Sequence, residues 1–188
     1  MAFGSFAFLA IVFVGAGVAA AAFACSTGAA ASAFVAFLVL SLLGRAQTFD
    51  DRKQHAEAIK NWDKALELSP EAEQPRARMK RAVSRVRAGQ VDTALKEAEE
   101  LSKIQNAAIL YNAACVFALA ADRRDEPGGS LSKEDCAKRA VALLQQAVAK
   151  GYKDVEHLKK DDDLKALRER EDFKQLVAEL EAAKARMQ

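Results

Sequence analysis

The feature that most constrains this chain is an abrupt boundary between a charge-free segment and a charge-rich one. The first 44 of the 188 residues contain no Asp, Glu, Lys, Arg or His, and they hold seven of the ten Phe. All 28 basic and 26 acidic residues therefore lie in the remainder. Because charged groups are costly to bury and apolar runs are costly to expose, the two parts are predicted to occupy different media. We expect an N-terminal membrane segment at residues 1–44 and a water-exposed domain at residues 45–188.

Two apolar runs make up the charge-free segment, with small polar residues between them. Residues 6–24 have about the length that a ~30 Å hydrocarbon core requires, and residues 29–43 form a shorter second run. One interpretation is a helical hairpin that crosses the bilayer twice, with Gly28 at the turn. The other is a single span followed by a helix that is buried in the domain.

Export signals are the main alternatives for this segment. Ala22, Phe23 and Ala24 have the small-x-small form of a cleavage site, but no basic region precedes them. Followed by Cys25, they are also similar to a lipoprotein attachment site, although Phe23 is bulky where a small residue is usual.

The first charged residues after the apolar segment bear on the orientation of the domain. Arg45, Arg52 and Lys53 are diluted by Asp50 and Asp51, but they are the nearest basic residues to the apolar segment. Because cytoplasmic flanks of membrane segments are enriched in Lys and Arg, a cytoplasmic domain is favoured.

Beyond the apolar segment, small and large apolar residues recur at helical spacing. Leu110, Ala114, Phe117 and Ala121 step by four, three and four residues along one face. Stripes in which small and large residues alternate are typical of antiparallel helices that pack closely. The predicted fold class is all-α.

The same spacing recurs along the chain at repeat length. A small residue is followed four positions later by a second apolar one in three places: Ala58 with Trp62, Ala94 with Ala98, and Ala140 with Leu144. This pattern resembles the second helix of the tetratricopeptide repeat, although Ala98 stands where the family has a large residue. The resemblance implies a short α-solenoid of helical hairpins, in which stacked neighbours bury faces that no hairpin can bury alone.

The C-terminal part narrows this resemblance. Residues 111–120 (YNAACVFALA) and 151–173 (GYKDVEHLKKDDDLKALREREDF) are similar to the closing repeat segment of planctomycete-type bacterial serine/threonine protein kinases. Asp162 replaces the Pro of that pattern, and since Asp caps helices well, a helix start at Leu164 is still expected. The chain contains no Gly-rich phosphate loop, HRD triplet or DFG triplet, so the resemblance does not extend to the kinase machinery.

The repeat pattern and the membrane pattern overlap at the join. If Ala58 and Trp62 lie in the second helix of a repeat, its first helix is expected near residues 39–52, which includes the end of the second apolar run. Either the span continues into this helix, or the second run caps the stack without crossing the bilayer. A continuous helix over residues 29–52 satisfies both patterns.

The candidate binding residues lie mainly in a helix predicted over residues 71–88, with Pro75 in its first turn and Gly89 at its end. In the repeat family, first helices line a concave groove, and in chaperone-binding members basic residues there clamp a carboxylate. The resemblance implies a groove for an acidic or phosphorylated peptide, to which Arg makes bidentate contacts. The candidates are Arg76, Arg78, Lys80, Arg81, Arg85, Arg87 and, on the next first helix, Asn112.

Two other interpretations of this basic helix remain open. In one, its charges pair with Glu97, Glu99 and Glu100 on a solvated face, while Met79 and Val86 pack in the core. In the other, the charges meet an anionic lipid surface beside the membrane segment.

The sequence contains no recognisable catalytic or metal-binding pattern. The three cysteines lack paired spacing, and the two histidines, His55 and His157, are far apart. The Asp run at residues 161–163 lacks the alternation and Gly of a calcium loop, so we expect it to cap a helix. A net charge of +2 gives no indication of a nucleic-acid partner. We expect no enzymatic activity, cofactor, metal or small-molecule substrate.

These observations predict a membrane-anchored, non-catalytic repeat scaffold that mediates protein–protein interaction. One alternative is the regulatory tail of a serine/threonine kinase system that acts in trans. Another is an exported or lipid-linked repeat protein of the cell envelope.

Overall fold

The described part of the chain is helical throughout. A computed structural model describes residues 28–123 and 131–186, and within these ranges there is no β-strand. The all-α prediction is therefore confirmed for this part. The helices are α1 (Gly28–Asp51), α2 (His55–Leu68), α3 (Gln74–Arg87), α4 (Val91–Ser102), α5 (Ala107–Arg123), α6 (Lys133–Ala149), α7 (Val155–Lys160) and α8 (Glu171–Ala185), with 3₁₀ segments at Glu71–Glu73 and Asp162–Leu167.

Several helix ends follow from local sequence. Pro75 lies in the first turn of α3, where its missing N–H is harmless, and the chain leaves α3 through Gly89 at φ +85°. At the start of α6, Ser132 Oγ accepts a hydrogen bond from the backbone N–H of Asp135 (3.1 Å), and the Asp135 carboxylate accepts in return from the Ser132 N–H. Gly151 ends α6 at φ +101°.

Successive helices pack side by side, and α5 lies at the centre of the array. It contacts α3, α4, α6 and the 3₁₀ segment Asp162–Leu167. A helix that is apolar on all sides is expected to be buried, and α5 has this composition. Its small buried residues allow neighbours to approach closely, while Phe117, 1% exposed, fills the space between them.

A second, smaller cluster of buried side chains joins the first three helices. Trp62 of α2 is 4% exposed and packs with Ala46 of α1, with Ala58 and Leu66 of its own helix, and with Ala77 of α3. The large residue predicted for the first repeat thus forms the centre of the N-terminal core.

The first helix has two faces in different surroundings. On one face Phe34, Phe37 and Leu40 are 59%, 66% and 68% exposed, whereas on another Val39 and Leu42 are buried, and the helix packs on α2. The continuous helix over residues 29–52 that satisfies both sequence patterns corresponds to α1, Gly28–Asp51. The charge boundary at residues 44–45 falls inside it, so the charge-free and charge-rich parts share one helix.

Within the described residues, one stretch of helix is long and apolar enough to cross a membrane by length and composition, namely Ser32–Asp51. It is near the N-terminus and only 11% of its apolar window is buried. The predicted first apolar run at residues 6–24 and the export-signal residues at 22–25 lie outside the described residues.

Candidate binding groove

An open groove of about 370 Å³ runs across the first helix of each successive pair. Side chains from five elements line it, and most of them are polar or charged. They are Gln47, Asp50 and Asp51 from α1; Met79, Lys80, Val83 and Arg87 from α3; Tyr111, Asn112 and Cys115 from α5; and His157, Asp161 and Asp163 from α7 and the 3₁₀ segment that follows it.

On the α1 side of the groove, a buried carboxylate joins three helices. Asp50 is 8% exposed, and its Oδ2 accepts hydrogen bonds from Trp62 Nε1 (3.1 Å) and Ser84 Oγ (2.6 Å). His55 Nδ1 lies 3.0 Å from Asp50 Oδ1, and because an ionised carboxylate only accepts, this nitrogen carries the proton. The network holds α2 and α3 to the end of α1, which fixes the position of this wall.

On the opposite side, two carboxylates connect α3 and α5 to the 3₁₀ segment. The Tyr111 hydroxyl donates to Asp161 Oδ2 (2.7 Å), while Asp161 Oδ1 accepts from the backbone N–H of Asp163 (3.0 Å). Arg87 Nη2 donates to Asp163 Oδ1 (2.6 Å). Asp161 therefore caps the 3₁₀ segment, as expected for this Asp run, and also serves as a wall of the groove.

Aromatic rings pack together at the side of the groove that carries Asp161 and Asp163. Tyr111 and Tyr152 stack with ring centroids 4.5 Å apart and an interplanar angle of 15°, and the His157 ring lies 5.4 Å from Tyr111. Burial raises the pKa of Tyr111 well above its ordinary value and raises the pKa of Tyr152 to about 12. Both phenols are therefore neutral at physiological pH, and Tyr111 acts as a hydrogen-bond donor.

Three of the predicted basic residues lie on a different face of α3 and contact one buried carboxylate. Glu97 of α4 is only 5% exposed; Arg78 Nε donates to it (3.0 Å), as does Arg85 Nη1 (2.7 Å), and Arg81 contacts both of its oxygens. Arg81 also pairs with Asp63 of α2. These arginines connect α2, α3 and α4, which is the pairing that the sequence offered as an alternative to ligand binding.

The structure thus separates the seven candidate residues. Lys80, Arg87 and Asn112 line the groove. Arg76 is exposed at the start of α3, and Arg78, Arg81 and Arg85 form the cluster around Glu97.

Carboxylates are the groove residues that sequence reasoning missed. From the sequence, Asp50 and Asp51 were considered only as acidic neighbours of the basic residues that follow the apolar segment. Residues 161–163 were predicted only to cap a helix. The hydrogen bond from Tyr111 to Asp161 joins residues 50 apart, and that from Arg87 to Asp163 joins residues 76 apart. No helical periodicity reports such pairs, because their proximity arises from stacking of whole elements.

Comparisons with protein-family models, with curated proteins and with solved structures find no match to this chain. Among the described residues, no group of three or more His, Cys, Asp or Glu side chains is placed to hold a metal ion.

Proposed function

We propose that this chain is a membrane-anchored, non-catalytic scaffold that presents a peptide-binding groove beside the bilayer. The observation that carries the proposal is the two-sided nature of α1. One face of its N-terminal part exposes Phe34, Phe37 and Leu40, and its last turns line the groove with Gln47, Asp50 and Asp51. A single rigid helix therefore links an apolar surface to a polar site.

The geometry of α1 limits where the bilayer can lie. Because Val39, Leu42 and Ala46 are buried against the domain, we place the end of the part that lipid surrounds on all sides near Leu38. Residues 28–38 rise only about 16 Å along a helix axis, roughly half of a hydrocarbon core. Residues 28–38 are therefore too short to cross the bilayer by themselves, and the rest of the charge-free segment that precedes them lies outside the described residues.

The proposal includes a tetratricopeptide-like arrangement of the helices that follow. In such an arrangement first helices share one concave surface, and the groove here is lined by α1, α3 and α5, the first members of three successive pairs. Open grooves of this kind suit an extended peptide segment. We place the domain on the cytoplasmic side, because Arg45, Arg52 and Lys53 flank the apolar part of α1.

Fractionation of cells that express the full chain tests the anchoring. We expect the protein to remain in the membrane pellet after alkaline carbonate and to be released by detergent. In inside-out vesicles trypsin is expected to digest the domain, and in right-side-out vesicles it is not. Recovery in the soluble fraction would contradict the anchor, and the reverse protease pattern would place the domain on the other side.

A further inference from the structure

We propose that the groove receives a cationic segment of a partner protein, one that carries Lys or Arg side chains. This inference rests on the proposed scaffold function and specifies its ligand. It departs from the acidic peptide that the resemblance implied, since the arginines on which that expectation depended are held by Glu97.

The balance of charge in the groove is the first argument. Four carboxylates line it, against the two cations Lys80 and Arg87. Arg87 is already paired with Asp163 at 2.6 Å, and the buried Asp50 is occupied by the donors of α2 and α3 described above. Lys80 alone is therefore left to oppose Asp51 and Asp161. The chain as a whole carries a net charge of +2, so overall charge would repel a cation, and any attraction must come from this local surface.

The partners of the remaining carboxylates are the second argument. Asp161 accepts from a phenol, from the Cys115 thiol (3.7 Å) and from a backbone N–H, and Asp51 accepts from the Gln47 amide (2.9 Å). These donors are neutral, so they orient the carboxylates without cancelling their charge. His157 Nε2 lies 3.6 Å from Asp161 Oδ2, but its side chain is 56% exposed. Oriented carboxylates with remaining acceptor sites suit the several N–H donors of Lys and Arg.

Burial adds to the preference for a cation. The pKa of Asp163 is raised, chiefly because burial disfavours its charged form and although Arg87 pairs with it. The neighbouring Asp161 contributes to this shift in the same direction. The second wall therefore holds more negative charge than its own cations stabilise, and a further cation would be favourable there.

The shape of the groove suits long basic side chains. Val83 of α3 is half-buried in the lining, between the α1 wall and the wall that carries Asp161. The methylene stem of a Lys or Arg can pack along such an apolar surface while its charged end reaches a carboxylate. A volume of about 370 Å³ is sufficient for side chains of a peptide but not for a folded domain.

Peptide binding to the purified full chain in detergent micelles tests this inference. The probes are two fluorescein-labelled dodecapeptides, one of alternating Ala and Arg and one of alternating Ala and Glu. We expect the Arg peptide to bind more tightly, and we expect added salt to weaken it. The double variant Asp51→Asn/Asp161→Asn should bind the Arg peptide about tenfold more weakly, as expected for losing charge-assisted contacts.

The chain offers a matched control and an opposite change. Asp162 lies between the two groove carboxylates in sequence, yet its side chain is 98% exposed, so Asp162→Asn should leave binding unchanged. Lys80→Gln removes the opposing cation and should tighten binding of the Arg peptide a few-fold, about 3-fold for a partly exposed charge. Lys80→Gln therefore tests whether the groove prefers a cationic peptide even where the double variant fails to fold.

Three results would overturn the inference. They are tighter binding of the Glu peptide than of the Arg peptide, weakening by Asp162→Asn equal to that by the double variant, and no gain in affinity for the Arg peptide from Lys80→Gln. Each of them leaves the membrane fractionation unaffected. A failure of the ligand assignment is therefore distinguishable from a failure of the anchored scaffold.

Discussion

The two tyrosines of this chain report directly on the packing of one groove wall. Burial raises the pKa of both phenols, to about 12 for Tyr152 and further for Tyr111, because desolvation disfavours the charged form. Between pH 10 and 12 the folded protein therefore binds more protons than the unfolded chain. It follows that the free energy of unfolding falls as pH rises through this range.

A tyrosinate absorbance titration measures this shift, since the chain contains only these two tyrosines. We expect the folded protein to ionise near or above pH 12 and the guanidinium-unfolded chain to ionise near about 10. In Tyr152→Phe, the lower ionisation step near pH 12 should disappear, and the step that remains should belong to Tyr111. Ionisation of both phenols near pH 10 in the folded protein would show that the stacked wall does not exist.

Glu97 is expected to contribute to stability, because its carboxylate pairs with three arginines. Changing Glu97→Gln removes the charge that holds Arg78, Arg81 and Arg85 between α2 and α4. We expect a loss of about 2–4 kcal/mol in the free energy of unfolding, because the partly buried cations lose their counter-ion. Urea unfolding followed by fluorescence of the single tryptophan, Trp62, measures it, since this side chain is 4% exposed when folded.

Glu100→Gln is the matched control for that measurement. Glu100 contacts Arg78 at 3.1 Å, but its side chain is 65% exposed, so the change should cost no more than about 0.5 kcal/mol. Equal effects of the two changes would mean that Glu97 is not the centre of the cluster.

How much of the site could be predicted differs from residue to residue. Three of the candidates, Lys80, Arg87 and Asn112, line the groove in the structure, and the helical pattern indicated which helices come first in each pair. The roles of Arg78, Arg81 and Arg85 depended on whether Glu97 was buried. The spacing on α4 did not show whether Glu97 is buried, because Glu99 and Glu100 follow it closely in the sequence.

Among the helices, boundaries followed from sequence more closely than contacts did. Pro75 and Gly89 lie at the predicted ends of α3, because each suits the backbone requirement of a helix end. The segment expected to start at Leu164 begins two residues earlier, at Asp162, because Asp161 rather than Asp162 is the cap. Which elements meet across the groove could not be read from periodicity.

Two glycines in or beside helices test the assignment of α1 and α3. Gly44 lies within α1, and a Cβ added there would have no atom within 4 Å, so Gly44→Ala should stabilise the helix by about 0.8 kcal/mol. Gly89 ends α3 at φ +85°, so Gly89→Ala should destabilise the protein by about 1 kcal/mol. Urea unfolding of the full chain in micelles gives both values.

The same substitution is thus expected to have opposite signs at the two positions. A stabilising Gly89→Ala would be incompatible with the observed end of α3. A strongly destabilising Gly44→Ala would mean that α1 is interrupted where the charge-free part ends.

For the whole molecule, the central claim is that one continuous helix passes from bilayer to groove. The sharp change in charge at residues 44–45 predicted two environments, and the overlap of the apolar and repeat patterns predicted a shared helix. What the sequence left undecided was where along that helix the environment changes. Because Val39 and Leu42 are buried, we propose that the change lies near Leu38.

Spin labels attached singly along α1 of the full chain in liposomes test this claim most directly. Labels at positions 34, 37 and 47, in a background without the native cysteines, would be compared for collision with lipid-soluble oxygen and with a water-soluble nickel complex. We expect oxygen to dominate at Phe34 and Phe37 and the nickel complex to dominate at Gln47. If the nickel complex reached the labels at Phe34 and Phe37 as freely as the label at Gln47, α1 would not enter the bilayer.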